Sequence, residues 1–332
     1  MVTRRLGQSG PTVSALALGC MGMSGMYGPS ERSESIATIH AALDAGITLL
    51  DTGDFYGMGH NELLIAEALR GRPREDYLLS VKFGAQRGPD GAWLGYDARP
   101  AAVKTALAYS LNRLGVDHID VYRPARLDSN VPIEETVGAI AELVQAGYVR
   151  HVGLSEVGPE TIRRAAAVHP ICDLQIEYSL LSRHIESAIL PATRELGIAI
   201  TAYGVLSRGL ISGHFPADRE LAASDFRRHA PRFADGNRAH NLSLVEALRG
   251  VGEQTGLTVA QVAIAWVLSR GEDIVPTVGS RRREQLEEAL GALDAELDAG
   301  VLAALERAIP PGAVAGQRYP EPQMAVLDSE RS

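Results

Sequence analysis

The chain has 332 residues, 45% of them hydrophobic, with 34 glycines and a formal net charge of −9. That length supports a large core in one big domain or two ordinary ones, and the acidic balance argues against nucleic acid, whose phosphates need surplus Lys and Arg. With Cys20 and Cys172 as the only cysteines, no disulfide framework is expected and a reducing, cytoplasmic setting fits. The opening "MVTRRLGQSG" lacks the apolar core of a signal peptide, and "VAIAWVL" (Val262 to Leu268) is far too short to cross a bilayer, so no membrane partner is expected.

In chain order, short strands before Leu16 are expected to form a plug, and "ALALG" near residue 16 reads as a first barrel strand. Ile36, Ile39 and Leu43 then fall on one helical face, followed by Gly46 and the strand "ITLL". Leu64, Ile65, Ala68 and Leu69 repeat the stripe up to Gly71. Strands are predicted at Tyr77 to Lys82 and Asp173 to Tyr178, and the grammar of helix, glycine, strand recurs at Gly115, Gly147, Gly197 and Gly271. Those glycines stand where a helix C-terminus takes a left-handed residue. The count is about eight strand–helix units, the number of a closed (β/α)₈ barrel. A doubly wound sheet would want G-x-G-x-x-G after the first strand, and "GCMGMSG" from Gly19 is not that. One domain over 1–332 is therefore expected, with a long loop from about Ser207 to Ala239 and a C-terminal tail, 310–332, over the mouth.

Barrels do chemistry at the C-terminal ends of their strands. Asp51 and Tyr56 follow the second strand in "LLDTGDFYG"; Lys82 ends the third, Ser155 and Glu156 the fifth; Gln175 lies on the sixth, Tyr203 on the seventh, and "GSRRR" follows the eighth. A tyrosine with a pKa near 10 is a poor acid at neutral pH. A nearby ammonium would favour the phenolate, and a carboxylate would hold the ammonium in place. Asp51 alone would read as a turn residue and Lys82 alone as a solvated lysine; together at consecutive strand ends they suggest proton transfer. His60, His151 and His184 share no metal-ligand spacing, so no metal site is expected.

These residues resemble the aldo-keto reductases over nearly the whole chain, in family order. The resemblance implies Asp51, Tyr56 and Lys82 as catalytic residues and NADP(H) as cofactor for reduction of a small carbonyl compound. "VGLSE" and Gln175 would hold the nicotinamide carboxamide through Ser155 and Glu156, and Tyr203 would stack on the ring. Leu206 and Arg208 in "AYGVLSRG", with Cys20 and Met21, would line the cofactor. "VPTVGSRRREQLEEALGAL" resembles the adenosine-phosphate segment, which implies Gly279, Ser280, Arg281, Gln285 and Glu288. Gly279 and Ser280 are expected to open a helix, whose free N–H groups favour an anion. Arg281 can fork onto a phosphate, which favours NADP(H) over NAD(H). Where the family carries a histidine after strand four, "VYRPARLD" has Ala125. Three readings stand: Tyr56 acts alone on activated aldehydes, Arg126 or Arg123 supplies the positive field, or the protein is a cofactor-bound regulatory subunit with weak turnover. The "AR-x-D" variant, with "GLSE" and "EYSLLSR", resembles the microbial pyridoxal reductases of this superfamily.

Overall fold

The computed structural model describes residues 1–222 and 225–331. β1 (Thr3–Arg5) and β2 (Thr12–Ser14) pair antiparallel. Leu6, between them, is fully buried against Val13, Cys172, Ala199 and Val275, so the hairpin plugs the end where the barrel strands begin. β3 (Ala17–Gly19) leads to α1 (Arg32–Asp44), β4 (Leu49–Gly53) to α2 (His60–Ala68), and β5 (Leu78–Phe83) to a hairpin of β6 (Ala85–Arg87) and β7 (Trp93–Tyr96), then α3 (Pro100–Leu114). β8 (Ile119–Pro124) and α4 (Ile133–Gln145), β9 (Val149–Ser155) and α5 (Pro159–Val168), β10 (Ile171–Glu177) and α6 (Ile189–Glu195) continue the alternation. β11 (Ala199–Tyr203) precedes the long loop, α7 (Asp235–Thr255) and α8 (Val259–Ser269); β12 (Ile274–Gly279) precedes α9 (Arg283–Leu290), α10 (Ala299–Ala308) and the short α11 (Glu321–Met324). Strands β3, β4, β5, β8, β9, β10, β11 and β12 are parallel and closed, β12 pairing back onto β3.

The expected eight-stranded barrel is thus the fold. All five helix-ending glycines have positive φ, between 65° and 154°. At Gly115 the N–H donates to Leu111 O (2.9 Å) and closes α3 before the chain turns into β8. The strand predicted from Ile47 starts at Leu49, because the Gly46 and Ile47 amides still bond to Leu43 O and Ala42 O of α1. The β6–β7 hairpin was not anticipated, and α7 starts at Asp235, inside the segment expected to be loop. Among the described residues no helix is long and apolar enough to cross a membrane.

The strands bury both faces, one against the helices and one inside the barrel. Side chains alternate along a strand, so the interior is built in layers. Near the plug the layer is apolar, with Ala17, Leu49, Leu78, Val121, Cys172, Ala199 and Val275. Two residues further along β4, β5, β8 and β11, and one residue further along β10, where the register shifts, it becomes polar: Asp51, Ser80, Arg123, Thr201 and Asp173, all buried. Lys82 and Gln175 come next, towards the mouth.

Candidate active site

Asp51 is the hub of this polar interior. Its Oδ1 accepts from Lys82 Nζ (2.6 Å), and its Oδ2 accepts from Ser80 Oγ (2.9 Å) and Gln175 Nε2 (2.7 Å). Three donors fix the carboxylate. Lys82 is one of only two lysines in a chain otherwise supplied with arginine, the other being the exposed Lys104. Burial lowers the pKa of Lys82; Asp51 pulls it back up and Arg123 pushes it further down. The ammonium lies 5.2 Å from the ring centroid of Tyr56. The Tyr56 hydroxyl is nonetheless pushed well above an ordinary phenol, first by burial and then by Asp51, with Arg126 opposing. The neighbouring ammonium was expected to lower it; in this dry setting desolvation wins, and the group is held as a phenol.

Around the mouth, Arg126 Nη1 donates to Ala125 O (2.6 Å) and Ser155 Oγ (3.4 Å), and its Nη2 to Tyr319 OH (3.1 Å) and Tyr203 OH (3.5 Å). Tyr203 OH donates to Glu156 Oε1 (2.7 Å) and lies 2.9 Å from Tyr319 OH. Glu156 is fully buried at φ 53°, a left-handed conformation that costs a non-glycine residue strain. Burial would raise its pKa, yet Arg318 holds it well below the usual carboxylate range. Its oxygens also accept from Ser329 Oγ (2.6 Å), so the protein's own donors occupy the carboxylate assigned to the carboxamide. Arg208, also left-handed at φ 60°, lies with its guanidinium 4.5 Å from the Tyr319 ring centroid. Leu206 begins that same turn, while Met21 starts the short turn after β3 next to Cys20. Cys20 is fully buried, its thiol pushed up by desolvation, and its N–H donates to Asp51 O (2.9 Å). Ala125, 2% exposed, continues β8 by donating to Phe83 O.

The other end of the predicted cofactor site lies past β12. Gly279 pairs with Gly19, Ser280 is buried, and the helix begins at Arg283 rather than at Ser280, with Arg282 as an N-cap that makes no side-chain bond. Arg281 Nη1 donates to Tyr27 O (3.1 Å), Gly28 O (3.3 Å) and Pro29 O (3.1 Å), and its N–H donates to Gln285 Oε1 (3.2 Å). Burial and the nearby Arg227, Arg282 and Arg219 lower the Arg281 pKa, with Asp225 opposing. Arg227 is itself paired with the buried Asp225 (2.6 Å), so the uncompensated positive charge here comes from Arg219, Arg281 and Arg282. Glu288 instead pairs with His214 (2.9 Å), and Arg283 with Glu34 of α1 (2.8 Å).

Sequence reading missed several groups. Ser80 and Asp173 each stand two residues before a predicted site residue on the same strand, so inward alternation could have flagged them. Arg318 and Tyr319 gave no signal, since the tail has no periodicity. Among the described residues no cluster of potential metal ligands occurs.

With a carboxylate, a lysine and a tyrosine converging at the C-terminal mouth of a (β/α)₈ barrel, comparison with known proteins becomes informative. Residues 15–310 match the model of the aldo/keto reductase family. The chain is 43% identical over 318 residues to a probable aldo-keto reductase of Glycine max, covering 95% of this chain and 91% of that one. It is 39% identical over 323 residues to the Schizosaccharomyces pombe protein named aldo-keto reductase yakc [NADP(+)], covering 96% and 94%. Among solved structures, a glycerol dehydrogenase of Gluconobacter oxydans superposes with a TM-score of 0.83 at 30% identity, over 93% of this chain and 96% of that one. The holo form of an aldo-keto reductase from Bacillus halodurans gives 0.76 at 27% identity, over 96% and 99%. Barrel, buried dyad and family match agree: this chain belongs to the aldo-keto reductase family.

Proposed function

We propose that the protein reduces aldehydes to alcohols with NADPH, Tyr56 giving the proton to the carbonyl oxygen. The observation that carries this reading is the buried Asp51–Lys82 pair beneath Tyr56. Bound NADPH supplies the hydride. Tyr56, held as a phenol, has its proton in place before the carbonyl arrives, and Lys82 stabilises the phenolate left behind. Asp51 keeps the lysine aligned through the step. Arg281 with its arginine neighbours would hold the 2′-phosphate, and Ser155 and Gln175 the carboxamide; the NADP(+) in the name of the yeast relative supports the same cofactor. Replacing Tyr56 by Phe should cut the rate by about 10²–10⁴ while cofactor affinity stays nearly constant. Retention of most activity would transfer the acid role elsewhere; tight NADPH binding without turnover on any carbonyl would favour a regulatory subunit.

Ala125 leaves no imidazole at the end of β8, which favours activated aldehydes such as pyridoxal, the chemistry to which "AR-x-D" and "GLSE" bear a likeness. Between the two candidate cations, Arg126 is favoured, because its charge stabilises the Tyr56 phenolate whereas Arg123 bonds inward to Asp173, Thr201 and Ser80. Arg126→Ala should lower kcat without raising KM, the mark of an interaction made only in the transition state. A raised KM at constant kcat would make Arg126 a substrate anchor instead.

A further inference from the structure

Beneath the Asp51–Lys82 pair lies a second ion pair that this reading of function does not use. Arg123 on β8 and Asp173 on β10 are both fully buried, with Nη1 to Oδ2 at 3.0 Å. Nη1 also reaches Thr201 Oγ1 (3.1 Å), whose hydroxyl donates to Asp173 Oδ2 (2.6 Å). Nη2 reaches Ser80 Oγ (3.0 Å), whose hydroxyl donates to Asp51 Oδ2 (2.9 Å). The backbone opposite makes room for this arrangement. A Cβ at Gly153 would meet Asp173 Oδ1 at 2.7 Å and Arg123 Nε at 3.1 Å.

Bulky apolar side chains are the usual filling of such a barrel layer. A buried ion pair is weak evidence for stability, because a well-packed apolar replacement is often neutral or better. The pair's hydrogen bonds suggest another use. A guanidinium only donates, and a serine hydroxyl has one proton to give. With Arg123 filling its acceptor side, the Ser80 hydroxyl is polarised towards Asp51, just as Thr201 is polarised towards Asp173. Without Arg123 the Ser80 hydroxyl is free to rotate away, and Asp51 loses one of its three fixed donors.

We propose that Arg123 is a positioning residue which, through Ser80, fixes the Asp51 carboxylate at the angle that presents Lys82 to Tyr56, while Asp173 and Thr201 hold the guanidinium. The catalytic role of Lys82 rests on the function proposed above; the coupling between the two layers does not. Arg123 also disfavours the charged form of Lys82, acting against Asp51 and together with Arg126. The buried Tyr56 and Cys20 also face this lysine.

The lysine content makes the test direct. Carbon-13 labelled lysine gives signals from Lys82 and Lys104 alone, the exposed Lys104 serving as internal reference. In the double variant Arg123→Met/Asp173→Met the Lys82 titration midpoint should move to higher pH: the pair is removed as a neutral unit, but Arg123 is among the main groups acting on the ammonium and Asp173 is not. Its kcat should fall about tenfold, as misplacement of a reacting group does, with KM and NADPH affinity little changed. Ser80→Ala, which leaves the lower pair intact, should lower kcat in the same way. A Lys82 titration and a kcat per folded molecule identical to wild type in both variants, with only the melting temperature reduced, would overturn the proposal. If wild type turns over no carbonyl, the reductase reading fails, and the Lys82 signal still decides whether the layers are coupled.

Discussion

Asp54 sits in the same turn as Tyr56 and has a less comfortable environment than Asp51. Burial first, then the carboxylate of Glu62, pushes its pKa up to about 7, while Arg113 and the amides of Gly84 and Phe55 oppose. Asp54 Oδ1 and Glu62 Oε1 are both buried without a partner, the second Glu62 oxygen being taken by Arg113. An unfolded aspartate titrates near 3.9. The folded state therefore binds this proton more tightly. The stability it contributes is full below about pH 4 and is lost as pH rises to about 7. Asp54→Asn removes the charge and offers an amide to Glu62, so it should stabilise the protein by on the order of 2 kcal/mol at pH 8 and far less at pH 4. Denaturant melts at the two pH values check this; an equal difference at both would remove Asp54 as the titrating group. In the sequence Asp54 is simply the aspartate between Asp51 and Tyr56 in "LLDTGDFYG". Its pairing with Glu62 needed α2 and α3 in place around it.

The element that most changes the mouth is the C-terminal tail. Arg318, 4% exposed, bonds to Glu156, Glu177 and Glu330, and its carbonyl accepts from Arg208 Nη1 (2.6 Å). The adjacent Tyr319 thereby meets Tyr203 and Arg126. Removing one partner of a buried pair typically costs about 3–5 kcal/mol. Glu156 keeps its bonds from Tyr203, Ser329 and the Glu177 amide, so Arg318→Ala should fall at or below the low end. Thermal unfolding measures the loss, and limited proteolysis should cut the variant after residue 310 before the barrel opens. A change within about 0.5 kcal/mol, the range of ordinary surface substitutions, would show that Arg318 does not anchor the tail. A tail was foreseen from the Pro/Gly-rich composition after Ile309, and it was expected over the mouth. Its anchor was not, because the carboxylates it meets lie on β9 and β10, more than a hundred residues earlier.

At the scale of the whole molecule, an overall charge of −9 coexists with a local cluster of Arg219, Arg227, Arg281 and Arg282. On the cofactor placement proposed above, an anionic dinucleotide bound there would stabilise the native state by mass action, about 2.7 kcal/mol at a hundredfold excess over Kd. NADPH should therefore raise the melting temperature more than NADH at equal concentration. Arg281→Ala should weaken NADPH about tenfold or more, the loss of a charge-assisted bond, and abolish that difference. Equal losses for both cofactors would mean that Arg281 does not read the phosphate. The sequence by itself determined the barrel, because helix-ending glycines and apolar runs are local signals that recur with each unit. It also placed Tyr56, Lys82, Gln175 and Tyr203 on or just after barrel strands, while Asp51, expected after its strand, lies inside β4. The tertiary structure alone decided who bonds to whom. Gln175 reaches Asp51 across 124 residues of sequence, and Arg318 reaches Glu156 across 162. Arg123 could have faced substrate or core on sequence grounds. Closure of the barrel put it beneath Asp51, because only closure brings the interior faces of β4, β5, β8, β10 and β11 into one layer.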